Sequence, residues 1–118
     1  MKINDYKDLR IWQNGINIVD KVYDLTESFP NKEMYGLCSQ MRRAAVSIPS
    51  NVAEGFVRQY PKEYKQFLYV SLGSCAELDT QSIIAQRRNF ISANDLIAIG
   101  KDLTSESKML VKLINLIN

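Results

Sequence analysis

The sequence predicts an all-α protein, one domain of residues 1–118 folded as an antiparallel up-down-up-down four-helix bundle. Apolar residues recur every three or four positions through four separate segments, which is the spacing of one helix face. No β-hairpin signal and no glycine-rich linker interrupts these segments. Connections of about three to six residues join them, and loops this short place consecutive helices antiparallel.

The first helix is predicted from Leu9 to about Glu27. Asn4 or Asp5 can cap its start, and the Phe-Pro pair at 29–30 ends it because proline cannot continue a helix. Its inward face is expected to consist of five apolar or aromatic residues at helical spacing: Leu9, Trp12, Ile16, Val19 and Tyr23.

The second helix is predicted from about Lys32 to Arg58, with its inward face formed by Leu37, Met41, Ala44, Ile48 and Val52. Pro49 lies inside this pattern, removes one backbone hydrogen bond and clashes with the preceding turn. We therefore predict a kink near Pro49 or a break into two shorter helices. Polar residues around the proline can satisfy the freed backbone groups and fix the bend: Ser47, Ser50 and Asn51. A ligand site built from the same groups, and presenting Glu54, is the alternative interpretation.

The third helix is predicted to begin at Pro61, since the N–H that proline lacks would be unpaired in a first turn. Its inward face is expected to comprise Tyr64, Phe67, Leu68, Ser71, Cys75, Leu78, Ser82 and Ala85. The fourth helix starts at Ser92, where Asp95 completes a capping box in place of the usual glutamate. Its inward stripe is expected to be Leu96, Ile99, Leu103, Leu110, Ile114 and Ile117.

Helices one and two each carry a second apolar stripe that a single small core does not need. On helix one it is Ile11, Gly15, Ile18, Val22 and Leu25; on helix two it is Ala45, Val46, Pro49, Ala53, Phe56 and Val57. Irregular packing inside the protomer is one explanation. We predict instead a homo-oligomer, because contiguous apolar patches mark interaction sites. Its interface is predicted to include Ile11, Ile18, Val22, Leu25, Val46, Pro49, Ala53 and Phe56.

The composition disfavours an enzyme. Histidine is absent, which removes the commonest general base and metal ligand. Cys38 and Cys75 form no Cys-x-x-Cys pair, and in antiparallel helices their heights differ by roughly 7 Å, so no disulfide is expected. Ser105 and Lys108 have the spacing of a serine-lysine nucleophile motif, which we interpret as coincidence. The acidic residues show no metal-ligand spacing. The sequence therefore predicts no catalytic residue, no metal site and no cofactor.

Residues 40–55 form the most distinctive segment, Gln-Met-Arg-Arg-Ala-Ala-Val-Ser-Ile-Pro-Ser-Asn-Val-Ala-Glu-Gly, and the motif includes Glu54 and Gly55. It resembles the signature of the bacterial four-helix-bundle family named for open reading frames in intervening sequences of 23S ribosomal RNA genes. That family is taken to include the accessory protein of diversity-generating retroelements. Further landmarks follow in order over residues 6 to about 80: Leu9, Trp12, Gln13, Phe29-Pro30, Glu33, Gly36-Leu37, Phe67-Leu68, Gly73-Ser74 and Glu77-Leu78.

The resemblance implies a bundle that assembles into a ring, typically a pentamer, with no established catalytic activity. For the retroelement accessory protein it also implies binding to nucleic acid and to a reverse transcriptase. The present chain is less basic than that protein, with a net charge of +2. A ring would nevertheless repeat each basic cluster several times.

Contacts to RNA or DNA are predicted through the basic clusters: Arg42, Arg43, Arg58, Lys62, Arg87 and Arg88. Such phosphate contacts would be sensitive to salt and indifferent to base sequence. The alternative is a solvated face on which Arg43 or Arg58 pairs with Glu54.

The sequence thus predicts a non-enzymatic interaction scaffold or adaptor that forms a homo-oligomer, a pentamer being favoured, and contacts RNA or DNA electrostatically. The alternative is a purely structural homo-oligomer that binds a protein partner and no nucleic acid. No segment approaches the roughly 20 consecutive apolar residues that span a bilayer, and the start has no apolar signal core. A cytoplasmic location without a membrane partner is therefore expected.

Overall fold

A computed structural model of the protein describes residues 4–118, which form four α-helices and two short 3-10 turns. The helices are α1 (Arg10–Thr26), α2 (Leu37–Phe56), α3 (Pro61–Arg87) and α4 (Ala93–Leu116). The turns are Tyr6–Asp8, before α1, and Asn31–Glu33, before α2. No β-strand occurs within residues 4–118, and the all-α prediction is confirmed.

Local signals account for the starts of α3 and α4. Pro61 occupies the first turn of α3, as predicted. At the start of α4 the backbone N–H of Asp95 donates to Ser92 Oγ at 3.0 Å, and the N–H of Ser92 donates to Asp95 Oδ2 at 3.2 Å. The predicted capping box is therefore confirmed.

The predicted cap of α1 and the predicted start of α2 are wrong, whereas α1 begins within one residue of the predicted Leu9. Asp5 caps the Tyr6–Asp8 turn by accepting from the N–H of Lys7, whereas Leu9 precedes α1 without a side-chain cap. The second helix begins at Leu37 rather than near Lys32 because Asn31–Glu33 forms a separate 3-10 turn. Glu33 Oε1 accepts from the N–H of Leu37 at 3.3 Å and satisfies one donor at the helix start.

Each helix packs on two others: α2 contacts α1 and α3, and α4 contacts α3 and α1. The bundle measures 44 × 24 × 19 Å. All four helices contribute fully buried side chains to one core, and the largest of these apolar side chains are Ile18, Met41, Ile48, Leu68, Leu78, Ile99 and Leu110. The predicted inward faces of α3 and α4 agree with this core. The structure therefore has one apolar interior between four helices.

The inward face of α1 is not the predicted one. Its buried residues are Ile11, Gly15, Ile18, Val22 and Thr26, whereas Leu9, Trp12, Ile16 and Val19 are partly buried and Tyr23 is exposed. The predicted intersubunit role of Ile11, Ile18 and Val22 is therefore wrong, because these side chains lie inside the protomer. Gly15 explains the choice of face. A Cβ there would lie 3.2 Å from Pro49 Cβ, so the bare backbone of α1 packs closely on α2.

Helix α2 buries its predicted inward face and part of its second apolar stripe within the protomer, because it packs against α1 and α3 together. Met41, Ala44, Ile48 and Val52 are buried as predicted, and Ala45 and Pro49 are buried as well. The predicted interface role of Pro49 is therefore also wrong. The interface residues that remain accessible at least in part are Leu25, Val46, Ala53 and Phe56.

Helix α2 runs through Pro49 as one helix, so the alternative of two shorter helices is wrong, while the bend itself stays a prediction. Polar side chains hydrogen-bond the backbone around the proline. Asn51 Nδ2 donates to both the carbonyl and the hydroxyl oxygen of Ser47, at 2.8 Å each. From α3, the Ser71 hydroxyl donates to the carbonyl of Ile48 at 2.9 Å. These bonds anchor the helix where proline lacks an N–H.

Two further expectations concern covalent links and membranes. Cys38 and Cys75 are both buried and free, as predicted. Within residues 4–118, no helix has the length and the apolar run that a bilayer crossing requires.

Candidate binding surfaces

A groove of about 620 Å³ lies between the end of α1, the turn before α2 and the first half of α2. We call it the Tyr–Arg groove. Its lining includes three serines and, as larger side chains, Tyr23, Met34, Tyr35, Arg42, Arg43 and Val46. No carboxylate lines it within the described residues. The groove therefore combines positive charge with aromatic and apolar surface.

Arg42 is held at two points in this groove. Its Nε donates to Thr26 Oγ1 at 2.9 Å, and its guanidinium carbon lies 4.6 Å from the centre of the Tyr23 ring. Thr26 is buried, and its hydroxyl donates in turn to the carbonyl of Val22 at 2.7 Å. The arginine is thus oriented by a buried hydrogen-bond chain and a cation–π contact. Its two terminal nitrogens have no hydrogen-bond partner among the described residues, so they can donate to an anion.

Two neighbours extend the groove. Arg43 is exposed beside Arg42 and also lines a smaller hollow with Ala44, Ser47 and Glu77. Tyr35, between the Asn31–Glu33 turn and α2, is 96% exposed. A ring so exposed offers a flat apolar surface to a ligand.

The other four predicted cations do not join this pair. Arg58 Nη2 lies 3.1 Å from Glu54 Oε1, and the Arg58 guanidinium lies over the Phe67 ring at 4.7 Å. The ion pair that the sequence offered as an alternative is therefore present. Arg43 lies about 20 Å along α2 from Phe56, the last residue of that helix, at 1.5 Å per residue, and Arg58 lies beyond Phe56. Lys62 stands exposed at the start of α3, while Arg87 and Arg88 are exposed at its far end.

A second surface is the outer face of α3, whose exposed apolar residues sequence analysis did not single out. We define it by four exposed apolar residues and the glycine between them: Tyr69, Val70, Gly73, Ile83 and Ile84. A Cβ at Gly73 would meet no atom within 4 Å. The spacing of Val70, Gly73 and Ile84 places them on one side of the helix. This spacing is the sequence feature that could have predicted the face. The face is uncovered within the described chain.

Glu106 is the main residue that sequence analysis overlooked. It is 0% exposed, its Oε1 accepts from Asn14 Nδ2 at 3.0 Å, and its Oε2 has no partner among the described residues. Burial raises the pKa of this carboxyl group to about 7, although the Asn14 hydrogen bond opposes the shift. Burial, followed by the Glu106 charge, raises the pKa of the Cys75 thiol to about 12. The spacing of Leu103, Glu106 and Leu110 places all three on one helix face, which was the signal for burial.

These polar groups form no recognisable catalytic set. Ser105 and Lys108 are both exposed on α4. Among residues 4–118, no group of three or more His, Cys, Asp and Glu side chains is placed to hold a metal ion. The arrangement as it stands can bind an anion at the Tyr–Arg groove and an apolar surface at the outer face of α3.

Residues 7–112 match the sequence model of a family described as 23S rRNA-intervening sequence protein. The fold is similar to that of a protein with unknown function from the S23 ribosomal protein family of Bacteroides thetaiotaomicron VPI-5482, with a TM-score of 0.82. The two chains are 19% identical, and the alignment covers 88% of this chain and 97% of that chain. At this identity the similarity concerns the fold. No curated protein matches the chain.

Proposed function

The chain belongs to the 23S rRNA-intervening sequence protein family, and we propose that it is a non-enzymatic interaction scaffold that works as a ring-like homo-oligomer. We propose a pentamer, located in the cytoplasm and free of cofactors. The observation that supports this proposal is the uncovered outer face of α3.

The outer face of α3 suits contact with another copy for two reasons. Val70 and Ile84 present apolar surface to solvent, and removing it from water stabilises an assembly by roughly 25 cal/mol per Å² of apolar area. Gly73 at the centre leaves room for a second backbone, and this use offsets the cost of about 1 kcal/mol that a mid-helix glycine carries. The face replaces the α1 stripe as the proposed contact between subunits.

The proposed bundle has the up-down-up-down order. Between α2 and α3, the Ser47 and Ser74 hydroxyls are 2.7 Å apart and Ser71 bonds the carbonyl of Ile48, so positions rise on one helix as they fall on the other. Between α1 and α4, Asn14 bonds Glu106 and Lys21 pairs with Asp102, with the same opposite sense. Both helix pairs therefore support antiparallel neighbours.

The oligomer is tested by light scattering at micromolar concentration. We expect a mass near five times the protomer's 13.5 kDa for the wild-type protein. Val70→Glu and Ile84→Glu should lower that mass without loss of helical circular dichroism, because a charge on the outer face of α3 would be buried in the assembly. Ile97→Glu is the matched control, since Ile97 is exposed on α4. A monomeric wild-type protein would refute the scaffold proposal.

Electrostatic binding of RNA or DNA is the second candidate function, and the Arg42–Arg43 pair beside no lining carboxylate favours it. A ring would repeat this pair in every subunit. We expect affinity for an RNA or DNA pool to fall steeply between 50 and 200 mM salt, as phosphate contacts do. Charge reversal at Arg42 and Arg43 should abolish that binding. If neither salt nor charge reversal changes the affinity for RNA or DNA, the alternative role is favoured, in which the ring binds only a protein partner.

A further inference from the structure

We propose that the Tyr–Arg groove is a site for one nucleotide unit, with the phosphate bound by Arg42 and Arg43 and the base stacked on Tyr35. This inference deepens the nucleic-acid candidate above by naming the ligand chemistry and the residues. Free nucleotides and nucleotides in a single strand share that chemistry, and the experiment below separates them.

The phosphate end of the site is supported by the way Arg42 is held. The buried Thr26 hydroxyl accepts from Nε and the Tyr23 ring supports the guanidinium plane, so the side chain is already oriented before a ligand arrives. The two terminal nitrogens are then left to bind an anion in the fork geometry that suits phosphate. Arg43 adds a second charge on the adjacent position of α2.

The base end of the site is supported by Tyr35 and Met34, which precede α2. The Tyr35 ring is 96% exposed, and the Met34 side chain beside it is also exposed. Stacking on such a ring needs no particular base, because every base has a π face. The groove volume of about 620 Å³ lies within the range of small-ligand sites. Two serine hydroxyls on the α2 side line the groove and can contact the sugar between base and phosphate: Ser39 and Ser50.

The charge of the groove favours a nucleotide over a neutral peptide segment. Both charged groups in its lining are arginines, and none is an acid within the described residues. An occupant that complements this lining supplies negative charge next to a flat ring. A nucleotide does so in a single unit.

The test measures binding of a fluorescein-labelled, eight-residue single-stranded RNA by anisotropy at 150 mM salt. Tyr35→Ala is expected to weaken binding about tenfold, in line with the loss of one stacking contact, while Tyr35→Phe retains wild-type affinity. Arg42→Lys should weaken it by a similar factor, since lysine keeps the charge but loses the fork and the support of Tyr23. Tyr60→Ala and Arg10→Gln are matched controls, because both side chains are exposed away from the groove, Arg10 at the opposite end of α1.

Competition identifies the source of the nucleotide. Displacement of the RNA by adenosine monophosphate, at concentrations where inorganic phosphate has no effect, would support a site for the free nucleotide. Displacement only by a second strand would support a site that reads nucleotides within a strand. Stronger displacement by a phosphotyrosine peptide than by either would overturn the proposal in favour of a protein partner.

Two results would overturn the site itself: wild-type affinity in Tyr35→Ala, or equal losses in Tyr60→Ala and Arg10→Gln, which would indicate diffuse electrostatic binding. Light scattering on the same variants separates this inference from the scaffold. If the ring is intact but RNA binding does not depend on Tyr35 and Arg42, the nucleotide site is refuted and the scaffold proposal stands. A monomer that binds RNA through Tyr35 refutes the scaffold alone.

Discussion

Glu106→Gln is expected to raise the free energy of unfolding at pH 8 and to remove a pH dependence that the wild-type protein shows. Glu106 is fully buried with one hydrogen-bond donor, Asn14, and its pKa is raised from 4.5 to about 7. The folded chain therefore binds this proton more tightly than the unfolded chain. The resulting stability is fully present below about pH 4.5 and is lost as the pH rises through about 7.

The size of the effect follows from the shift. Each pKa unit corresponds to 1.36 kcal/mol, so the wild-type protein should lose on the order of 3 kcal/mol between pH 4.5 and pH 8 through this group. Cys75 does not contribute in this range because its pKa is raised to about 12. Glutamine has the same shape, keeps an oxygen for Asn14 and carries no charge at any pH.

Urea unfolding followed by circular dichroism, in steps from pH 4.5 to pH 8.5, measures both expectations. The control is Glu77→Gln, because Glu77 is exposed at mid-helix in α3. The difference between the wild-type protein and Glu106→Gln should grow with pH, and the control should follow the wild-type curve. Parallel curves for the wild-type protein and Glu106→Gln would show that Glu106 is not the titrating group.

Gly55→Ala is expected to destabilise the bundle by about 2 kcal/mol, although alanine ordinarily stabilises a helix by about 1 kcal/mol relative to glycine. A Cβ at position 55 would lie 2.7 Å from Phe67 Cβ and 3.0 Å from Tyr64 Cδ1. It would also lie 3.2 Å from the Tyr64 carbonyl oxygen. Phe67 Cβ and the carbonyl belong to or adjoin the backbone of α3, so the helices must move apart to admit the methyl group.

Gly100→Ala is expected to stabilise the protein, in contrast to Gly55→Ala. Gly100 lies inside α4, and a Cβ there would meet no atom within 4 Å. This substitution should stabilise the protein by about 1 kcal/mol through helix propensity alone. Chemical denaturation of both variants gives the comparison. Stabilisation of the same size in both would contradict close contact between α2 and α3 at Gly55.

Helix positions followed from short-range chemistry. The Ser92 capping box and Pro61 each act through groups within a few residues, so they are readable along the chain and both are confirmed. The predicted start of α2 was wrong because the Asn31–Glu33 turn contains the same residue types as the start of a helix. Periodicity does not distinguish one 3-10 turn from the first turn of an α-helix.

The orientation of α1 did not follow from the sequence. Its two apolar stripes have similar composition, and only the approach of Gly15 to Pro49 shows which one faces α2. The interface prediction was wrong for Ile11 and Ile18 for the same reason. The sequence does not show that α2 and α4 pack against α1, where these two side chains are buried. Burial depends on neighbours that are distant in sequence.

The candidate sites show the same division. Arg42 and Arg43 are adjacent in sequence and were predicted together, whereas Tyr23 and Tyr35 come from other segments and were not associated with them. Glu106 was passed over because a charged residue is ordinarily exposed.

Local patterns were sufficient for the family resemblance, the number of helices and the capping box of α4, because these depend on neighbours within a few positions. Packing in three dimensions alone selected the buried stripe of α1, enclosed Glu106 and left the outer face of α3 uncovered. The physical reason is that burial is a property of two surfaces in contact, and the chain brings those surfaces together from residues that lie far apart along it.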